Sequence, residues 1–319
     1  MTTPTRPLSL LLIGLATLAG CDRPAAPPAA ATPPPAATAS APASPAGWPL
    51  EVVDGFGRKV TIPRAPLRVV SLAPSNTELM FAVGAGDRLI GRTTVCDYPP
   101  EASKVPVVGG MTPKTINLEA LVALRPDLIL ATCGVQEPII APLERLKLPV
   151  VALDADDFDG VVRNIRLVGA LVDRAAVGDD LADRFRARVA AVQKRVSGRA
   201  APRPKVLYLV GEDPLMTAGP NTFIGRMIEA AGGVNIFGDV AARYPRPGEE
   251  EILARAPDVI LAGRDDPTRR AQIAARPGWS QVPAVRAGRI AFLAEDEVSR
   301  PAPRLADGLE AMADALEPR

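Results

Sequence analysis

The fold is decided by a stretch that occurs twice in the chain: Glu119-Ala-Leu-Val-Ala-Leu-Arg-Pro-Asp-Leu-Ile-Leu-Ala131 and, 131 positions later, Glu250-Glu-Ile-Leu-Ala-Arg-Ala-Pro-Asp-Val-Ile-Leu-Ala262. In each copy, apolar residues at helical spacing lead into a Pro-Asp pair, and an aliphatic run follows. Proline ends a helix, and a run of leucine and β-branched residues starts a strand. The sequence therefore predicts a duplicated helix, turn and strand, and two similar lobes that enclose a cleft.

Short apolar strands alternate with helices on both sides of each copy. The first series begins with Arg68-Val-Val-Ser-Leu72 and the second with Lys205-Val-Leu-Tyr-Leu-Val210. Such alternation favours parallel sheets with helices on both faces. We predict the α/β class, with two Rossmann-like lobes over residues 48–174 and 201–319, and with a connecting helix over 175–200. A β-hairpin should open the first lobe, and Trp279 should pack in the core of the second.

The N-terminus predicts export. Residues 1–20 have an early arginine and a short apolar run, as a secretory signal does, and the junction Leu18-Ala-Gly-Cys21 resembles a lipobox. That resemblance implies lipidation of Cys21; an ordinary signal peptide or a short membrane anchor is the alternative. Residues 21–47 are rich in Pro and Ala and predict a semi-rigid tether. In some bacteria with two membranes, an aspartate next to the lipidated cysteine goes with retention at the inner membrane, so Asp22 predicts the periplasmic face of that membrane. The outer cell surface is the alternative in a cell with one membrane.

The composition excludes several classes of function. The chain contains no histidine, so Ser-His-Asp catalysis and histidine-rich metal sites are excluded. Its formal net charge of +1 gives no indication of nucleic-acid binding. No nucleophile-elbow or Walker-type phosphate motif occurs either. We therefore predict no catalytic residue, no resident metal and no resident cofactor.

Two cysteines follow Cys21 in the chain. Cys96 and Cys133 each come after a predicted strand of the first lobe, and so at the same edge of the sheet. Thiols in an exported protein normally pair, so a disulfide is predicted. Free thiols, or a role as metal or corrinoid ligand, are the alternatives.

Several motifs together resemble those of a known family. They are Ser71-Leu-Ala-Pro-Ser-Asn-Thr-Glu78, Cys96-Asp-Tyr-Pro-Pro100, Asn117-Leu-Glu119 with Pro126-Asp127, Gly232-Gly-Val-Asn-Ile-Phe237, Trp279 with Val282-Pro-Ala-Val-Arg-Ala-Gly-Arg289, and Arg300-Pro-Ala-Pro-Arg304. From about Trp48 to its end, the chain resembles the helical-backbone class of substrate-binding proteins of ABC importers, and in particular the cobalamin-binding receptors. The resemblance implies a monomer with two α/β lobes joined by one long rigid helix, a ligand between them and little closure.

The resemblance also implies a role for the acids that open the duplicated stretches. In the family, a glutamate on each lobe docks on arginines of the permease subunits, which act with an ATPase; those positions match Glu119 and Glu250. Charge pairs at a rim steer encounter and fix orientation. The alternative is that an acid in the first turn of a helix only offsets the helix dipole, which is worth about 0.3–1 kcal/mol.

Loops that follow strands face the crevice in open α/β sheets, and they supply the candidate ligand-binding residues. In the first lobe these are Pro74, Ser75, Asn76, Cys96, Asp97, Tyr98, Gly110, Met111, Cys133 and Gly134. In the second lobe they are Met216, Thr217, Arg243, Tyr244, Asp296, Glu297 and Val298. Ser75 has a second interpretation as a helix cap, because Ser75 and Glu78 stand at capping-box spacing.

The predicted cargo is a corrinoid such as cobalamin, captured in the cleft and delivered to an ABC permease. Positions that carry tryptophan in the cobalamin-binding receptors read Pro113 and Glu297 here, so a precursor corrinoid, haem and a ferric siderophore are alternatives. Arg243, Arg246 and Arg300 favour the anionic cargoes.

Two other classes of function are open. An exported enzyme could use Asp97, Asp296 or Glu297 as acid and base. A purely structural lipoprotein is a third possibility, against which the cleft-forming duplication argues.

Overall fold

The computed structural model describes residues 47–199, 202–263 and 268–318. The predicted signal peptide, the lipidation site Cys21 and the tether up to residue 46 lie outside the described residues. None of the described helices is both long enough and apolar enough to cross a membrane.

The first lobe contains a hairpin and a fully parallel sheet. The antiparallel hairpin pairs its two strands from Leu50 opposite Ile62 to Val53 opposite Lys59. The four strands of the sheet stand in the order β4-β3-β5-β6. The elements are β1 (Leu50–Val53), β2 (Lys59–Ile62), β3 (Val69–Ser71), α1 (Pro74–Ala82), β4 (Leu89–Arg92), α2 (Leu118–Leu124), β5 (Leu128–Thr132), α3 (Glu137–Arg145) and β6 (Val150–Leu153).

Two helices, α4 (Phe158–Leu171) and α5 (Ala175–Ser197), follow the first sheet. The side chain of Asp157 caps α4 by accepting a hydrogen bond from the Gly160 amide at 2.7 Å. A Cβ atom on Gly169 would lie 2.9 Å from the Cα atom of Gly178, so these glycines let the two helices pack closely. The 23-residue helix α5 lies where the connecting helix was predicted. The boundaries at 174 and 200 stay a prediction.

The second lobe repeats the alternation of strands and helices, and its sheet differs in having one antiparallel strand pair. Its strands stand in the order β11-β10-β7-β8, with β9 also paired to β7. All pairs are parallel except β7 with β8. The elements are β7 (Lys205–Glu212), β8 (Leu215–Thr217), α6 (Phe223–Ala230), β9 (Val234–Asn235), α7 (Glu249–Arg255), β10 (Val259–Gly263), α8 (Arg269–Ala274), α9 (Pro283–Arg286), β11 (Ile290–Leu293), α10 (Glu295–Ser299) and α11 (Leu305–Ala315). The predicted mostly parallel α/β fold is confirmed.

The duplicated stretch has the same geometry in both lobes. Helices α2 and α7 each end in a residue with left-handed backbone, Arg125 at φ 46° and Ala256 at φ 49°. That residue stands before the proline, where the right-handed helical conformation is disfavoured. The aspartate after the proline then binds the backbone at the start of the first parallel strand of its lobe, β3 or β7. Asp127 accepts hydrogen bonds from two backbone amides there, and Asp258 accepts one, from Lys205 at 2.9 Å.

One apolar core runs through both lobes. Leu79 and Met80 of α1 belong to the same buried cluster as Val298 of α10 and Leu305 of α11. Residues of α4 and α5 complete this cluster, with the edge-to-face pair of Phe158 and Phe223 at 5.5 Å between ring centroids. A second cluster lies within the second lobe, and Trp279 is fully buried there, as predicted.

Candidate functional site

The two lobes are joined by a cluster of charged side chains that we call the interlobe clamp, formed by Glu78, Asp97, Asp296, Arg300 and Arg304. Glu78 lies on α1 of the first lobe, and its side chain is only 3% exposed. Arg304 donates two hydrogen bonds to the Glu78 carboxylate, at 2.7 and 3.0 Å. Arg300 binds Glu78 at 3.3 Å, Asp97 at 2.7 Å and Asp296 at 2.8 Å. The clamp therefore ties α1 to the segment between α10 and α11.

The electrostatics of the interlobe clamp favour its charged form. Burial opposes the charge on Arg300, but its carboxylate partners outweigh that effect and raise the pKa of the guanidinium. The hydrogen bond from Arg300 holds the pKa of Asp97 below its ordinary value. A buried carboxylate is costly unless it is paired, so Glu78 depends on both arginines.

Four of the predicted ligand-binding residues meet at this cluster. Asp97 and Asp296 bind Arg300, whereas Glu297 lies 3.8 Å from Arg304. The Arg304 guanidinium stacks 3.6 Å from the centroid of the Tyr98 ring. An aspartate that is held by an arginine, with a lowered pKa, is a weak general base, so this arrangement does not favour acid–base catalysis by Asp97.

A second contact between the lobes involves Arg243. Its guanidinium lies 3.3 Å from Asp156, which follows β6 of the first lobe, and both side chains are more than half exposed. Exposed pairs of this kind contribute little to stability, about 0–1 kcal/mol. The contact does, however, occupy an arginine that was predicted to bind cargo.

The loop between β3 and α1 is built differently from the prediction. The residue that precedes α1 is Ala73, and no side chain caps this helix, so the predicted capping box is wrong. Glu78 does not reach back to the helix start because it binds the two arginines. Ser75 lies inside the first turn and is buried, and Asn76 donates to the Ala131 carbonyl at 2.9 Å. The Asn76 side chain therefore fixes the first turn of α1 against β5.

Gly110 and Met111 lie on a loop that one buried glutamine holds in place. The Gln136 side chain is fully buried and donates to the carbonyls of Leu72 at 2.6 Å and Met111 at 2.9 Å. It also accepts a hydrogen bond from the Thr132 amide at 2.9 Å. Three segments at the carboxyl edge of the first sheet are thus fixed by one side chain that the sequence did not single out.

The second lobe contains a cavity of about 230 Å³ at the carboxyl edge of its sheet. Met216 and Tyr244, two of the predicted ligand-binding residues, line it, and their role in ligand binding stays a prediction. Thr217 does not line it; this residue is buried, and within the described residues its hydroxyl has no hydrogen-bond partner. Val298 is fully buried in the core and is not available to a ligand. Polar residues that were not predicted also line the cavity, among them Tyr208, Glu295 and Ser299.

The predicted disulfide is absent from the structure, in which Cys96 and Cys133 are both free, so this prediction is wrong. Cys96 is buried, and its sulfur lies 3.0 Å from the Thr93 hydroxyl. Cys133 is half-buried beside Asp154, and burial followed by that carboxylate raises the pKa of its thiol to about 12. Cys96 and Cys133 both follow strands of the first sheet, but their side chains do not meet. Each side chain packs against its own local partners. Gly134, which follows Cys133, is exposed and has φ 75°.

The acids of the duplicated stretch, Glu119 and Glu250, have similar positions and exposure in the two lobes. Glu119 and Glu250 lie in the first turns of α2 and α7 and are exposed. The two glutamates beside Glu250 are both paired, Glu249 with Arg276 at 3.1 Å and Glu251 with Arg255 at 3.0 Å. Within the described residues, neither Glu119 nor Glu250 has a hydrogen bond or ion pair from its side chain. The start of each duplicated helix therefore presents one unpaired carboxylate.

Sequence reasoning missed Asp156, Tyr208, Glu295 and Arg304. Asp156 and Glu295 follow the carboxyl ends of β6 and β11, so the rule that nominated the other loops would have found them. Arg304 belongs to the motif Arg300-Pro-Ala-Pro-Arg304, one of those on which the family resemblance rests. Tyr208 lies within a strand, and no sequence signal distinguished it from the rest of the core. Among the described residues, no group of three or more metal-ligating side chains is placed to hold an ion.

Two α/β lobes, a long helix between them and a polar cleft define a two-lobed binding protein. The chain belongs to the periplasmic binding protein family, which it matches over residues 69–297. It is similar to the cobalamin-binding protein of Halobacterium salinarum, with 35% identity over 276 residues that cover 84% of this chain and 74% of that protein. It is also 29% identical over 314 residues to the uncharacterized ABC transporter substrate-binding lipoprotein YvrC of Bacillus subtilis, covering 97% of this chain and 95% of YvrC.

Solved structures show the same architecture. The vitamin B12-binding protein BtuF of Vibrio cholerae matches with a TM-score of 0.69 and 28% identity, over 79% of this chain and 96% of BtuF. The haem-binding protein BhuT, solved with two haems, matches with a TM-score of 0.71 and 29% identity, over 80% of this chain and all of that chain. The predicted resemblance to helical-backbone substrate-binding proteins of ABC importers is confirmed. The family is a class of binding proteins rather than of enzymes, and it implies export.

Proposed function

We propose that this protein captures a corrinoid in its interlobe cleft and delivers it to an ABC permease. The observation that carries the choice of cargo is that the arginines expected to bind an anionic ligand are already paired. Arg300 has three carboxylate partners and Arg243 has Asp156. Corrinoids with amide side chains need no arginine, whereas haem propionates and many ferric siderophores bring negative charge.

The charge balance of the interlobe clamp supports the same choice. Its arginines, Arg300 and Arg304, face the three carboxylates of the clamp, and Arg304 also lies 3.8 Å from a fourth, that of Glu297. An anionic cargo beside this cluster would be repelled, or would have to displace a carboxylate that is already hydrogen-bonded. A neutral cargo with polar amides meets neither cost.

The relatives support a corrinoid and keep haem as the second candidate. Proteins described as cobalamin-binding and vitamin B12-binding are among those similar to this chain, but so is BhuT with its two haems. One observation favours the anionic candidate: Arg246 is exposed, and in the part of the chain that the structure describes it has no ion pair. This single exposed arginine is weaker evidence for an anionic cargo than the paired arginines are for a neutral cargo.

Calorimetric titration of the purified protein with cyanocobalamin, cobinamide, haemin and a ferric hydroxamate siderophore tests the cargo. We expect saturable heat from at least one corrinoid and a much smaller response from haemin and the siderophore. Arg246→Ala should leave corrinoid binding within about twofold, because the proposed cargo does not use this charge. Saturable binding of haemin or of the siderophore, together with no heat from either corrinoid, would sink the corrinoid proposal.

Delivery rests on the two unpaired carboxylates of the duplicated stretch. Glu119 and Glu250 occupy the same position in the two lobes and are exposed, whereas Glu249 and Glu251 are paired within the lobe. If these two glutamates served only the helix dipole, they would not need to occupy the same position in both lobes. They would also not need to lack ion-pair partners among the described residues. We propose that these carboxylates bind arginines on the two permease subunits, with charge setting the encounter and orientation.

The N-terminal segment completes the proposal. Signal cleavage before Cys21, lipidation of that cysteine and the tether that follows would hold the receptor at the membrane near its permease. Labelling with a radioactive fatty acid tests the anchor: wild-type protein should incorporate the label and Cys21→Ala should not. Equal labelling of both would exclude Cys21 as the lipidated residue. Limited proteolysis should cut near residue 47 and spare the lobe boundaries proposed at 174 and 200.

A further inference from the structure

The cavity in the second lobe combines apolar walls with two polar side chains, Tyr208 and Glu295, that have no partner among the described residues. Its apolar walls include Met216, Ile224 and Leu209, and Tyr208 and Glu295 also line it. Tyr208 is 3% exposed as a whole residue, and within the described residues its hydroxyl has no hydrogen-bond partner. The hydroxyl oxygen is not itself among the buried polar atoms, so it is reached from the cavity and is available to a water or a ligand group.

The negative charge of the cavity comes from Glu295. This residue opens α10 and is exposed at the mouth, and across the described residues no cation or donor binds its carboxylate. The other charged group in the lining, Arg269, is balanced by Glu212 at 2.6 Å. The lining therefore carries one uncompensated negative charge.

Tyr208 acts as a donor in this setting. Burial, followed by the charge of Glu295, raises the pKa of its phenol above the ordinary value, so the hydroxyl keeps its proton at neutral pH. Ser299 contributes less, because its hydroxyl donates to the Glu295 carbonyl at 2.7 Å. The cavity thus presents one acceptor carboxylate at its mouth and one donor hydroxyl in its wall.

We propose that this cavity is a subsite for a primary carboxamide group of the cargo. The amide nitrogen would donate to the Glu295 carboxylate, the amide oxygen would accept from the Tyr208 hydroxyl, and the alkyl stem would lie against the apolar wall. A carboxylate in the same place would be repelled by Glu295. At about 230 Å³ the cavity is smaller than the roughly 300–1,000 Å³ of pockets that enclose a whole ligand, so it fits one group of a larger cargo.

This inference rests on the proposed function, since it assigns the cavity to the cargo. A corrinoid whose peripheral side chains end in amides meets the requirement, whereas haem, whose side chains end in carboxylates, does not. Glu295 and Tyr208 would accordingly discriminate an amide cargo from the corresponding acid. They are specificity-determining residues, distinct from the interlobe clamp.

The subsite can be tested on the purified full-length protein with small probes, independently of the cargo. Propionamide and propionate are titrated by saturation-transfer difference NMR into wild type and into the variants Glu295→Ala, Tyr208→Phe and Glu51→Ala. Glu51 is an exposed glutamate of β1 with no partner in the described residues, and its variant is the matched control. We expect wild type and Glu51→Ala to bind propionamide and not propionate. The affinity for propionamide should fall on the order of tenfold in each cavity variant, as expected for loss of a hydrogen bond that involves a charged or buried group.

A second arm connects the subsite with the cargo. Cyanocobalamin and a monoacid derivative, in which one peripheral amide is hydrolysed, are compared by calorimetry. We expect the amide form to bind on the order of tenfold tighter, and Glu295→Ala to remove most of that preference. Failure of wild type to bind any corrinoid, with propionamide binding intact, would refute the proposed cargo and leave the subsite standing. Equal binding of propionamide and propionate, absence of propionamide binding, or an affinity that Glu295→Ala leaves unchanged would overturn the subsite.

Discussion

The two lobes are most alike at the duplicated helix, turn and strand, and they differ most where they face each other. The duplicated units agree in the left-handed residue, the Pro-Asp turn and the unpaired glutamate. At the cleft, the first lobe supplies carboxylates of the interlobe clamp together with the loops held by Asn76 and Gln136, and the second supplies both arginines and the cavity. The shared part is therefore suited to a symmetric partner, and the part that differs is suited to an asymmetric cargo.

Breaking the contact between the lobes should have the largest effect on stability. Glu78→Gln removes the charge that Arg300 and Arg304 share and leaves both guanidinium groups partly buried. Loss of one partner from a buried pair costs about 3–5 kcal/mol, and we expect about 3 kcal/mol here because the arginines keep other carboxylates. Urea denaturation measures the change.

Glu101→Gln is the control for that experiment, because Glu101 is an exposed acid of the same lobe. It should change the free energy of unfolding by less than about 0.5 kcal/mol. A similar small change in Glu78→Gln would mean that the interlobe clamp does not hold the lobes together.

The two Pro-Asp turns allow a comparison in which the expected effects on stability are of intermediate size. Asp127 accepts from the amides of Leu67 at 3.0 Å and Arg68 at 2.8 Å, whereas Asp258 accepts from one amide. Asp127→Ala should therefore destabilise by about 2 kcal/mol and Asp258→Ala by about 1 kcal/mol. Thermal and urea unfolding of the two variants would show the difference. An equal cost would indicate that the second hydrogen bond of Asp127 contributes nothing.

The smallest predicted effect is a dependence on acid pH. Because Arg300 lowers the pKa of Asp97 in the folded protein, the unfolded chain takes up the proton first as the pH falls. The contribution of Asp97 is thus fully present above about pH 4 and is lost below it. The Asp97 side chain is largely exposed, so its share lies in the range of about 0–1 kcal/mol found for surface pairs.

Asp97→Asn should flatten the loss of stability between about pH 4 and pH 2, as measured by urea unfolding across that range. An unchanged profile would show that the contact between Asp97 and Arg300 carries no net energy.

The fold was largely predictable because its signals are local. The Pro-Asp turns, the alternating apolar runs and the break near Asp173, which has φ 57°, all act within a few residues. The hairpin and α5 follow from the same kind of pattern. What the sequence did not reveal depends on residues far apart in the chain. Glu78 and Arg304 are separated by 226 positions, and a capping box was the nearest local explanation for Glu78.

The candidate site shows the same limit. Position after a predicted strand nominated Asp97, which pairs with Arg300, and Met216 and Tyr244, which line the cavity of the second lobe; their role in ligand binding stays a prediction. It could not tell which of them would be neutralised by an arginine, and it placed Cys96 and Cys133 in a disulfide that the structure does not contain. Pairing depends on the direction of each side chain, which spacing along the chain does not determine.

The central claim is that the matched glutamates serve the permease and the unmatched cleft serves the cargo. Uptake of cyanocobalamin by cells that contain the cognate permease, with wild type or Glu119→Lys/Glu250→Lys as the only receptor, tests it most directly. Glu137→Lys is the control, because Glu137 is an exposed first-turn acid of α3. We predict that the double variant lowers uptake by more than about tenfold while its affinity for cyanocobalamin stays within about twofold of wild type. Normal uptake by the double variant, or loss of its ligand binding, would contradict the account.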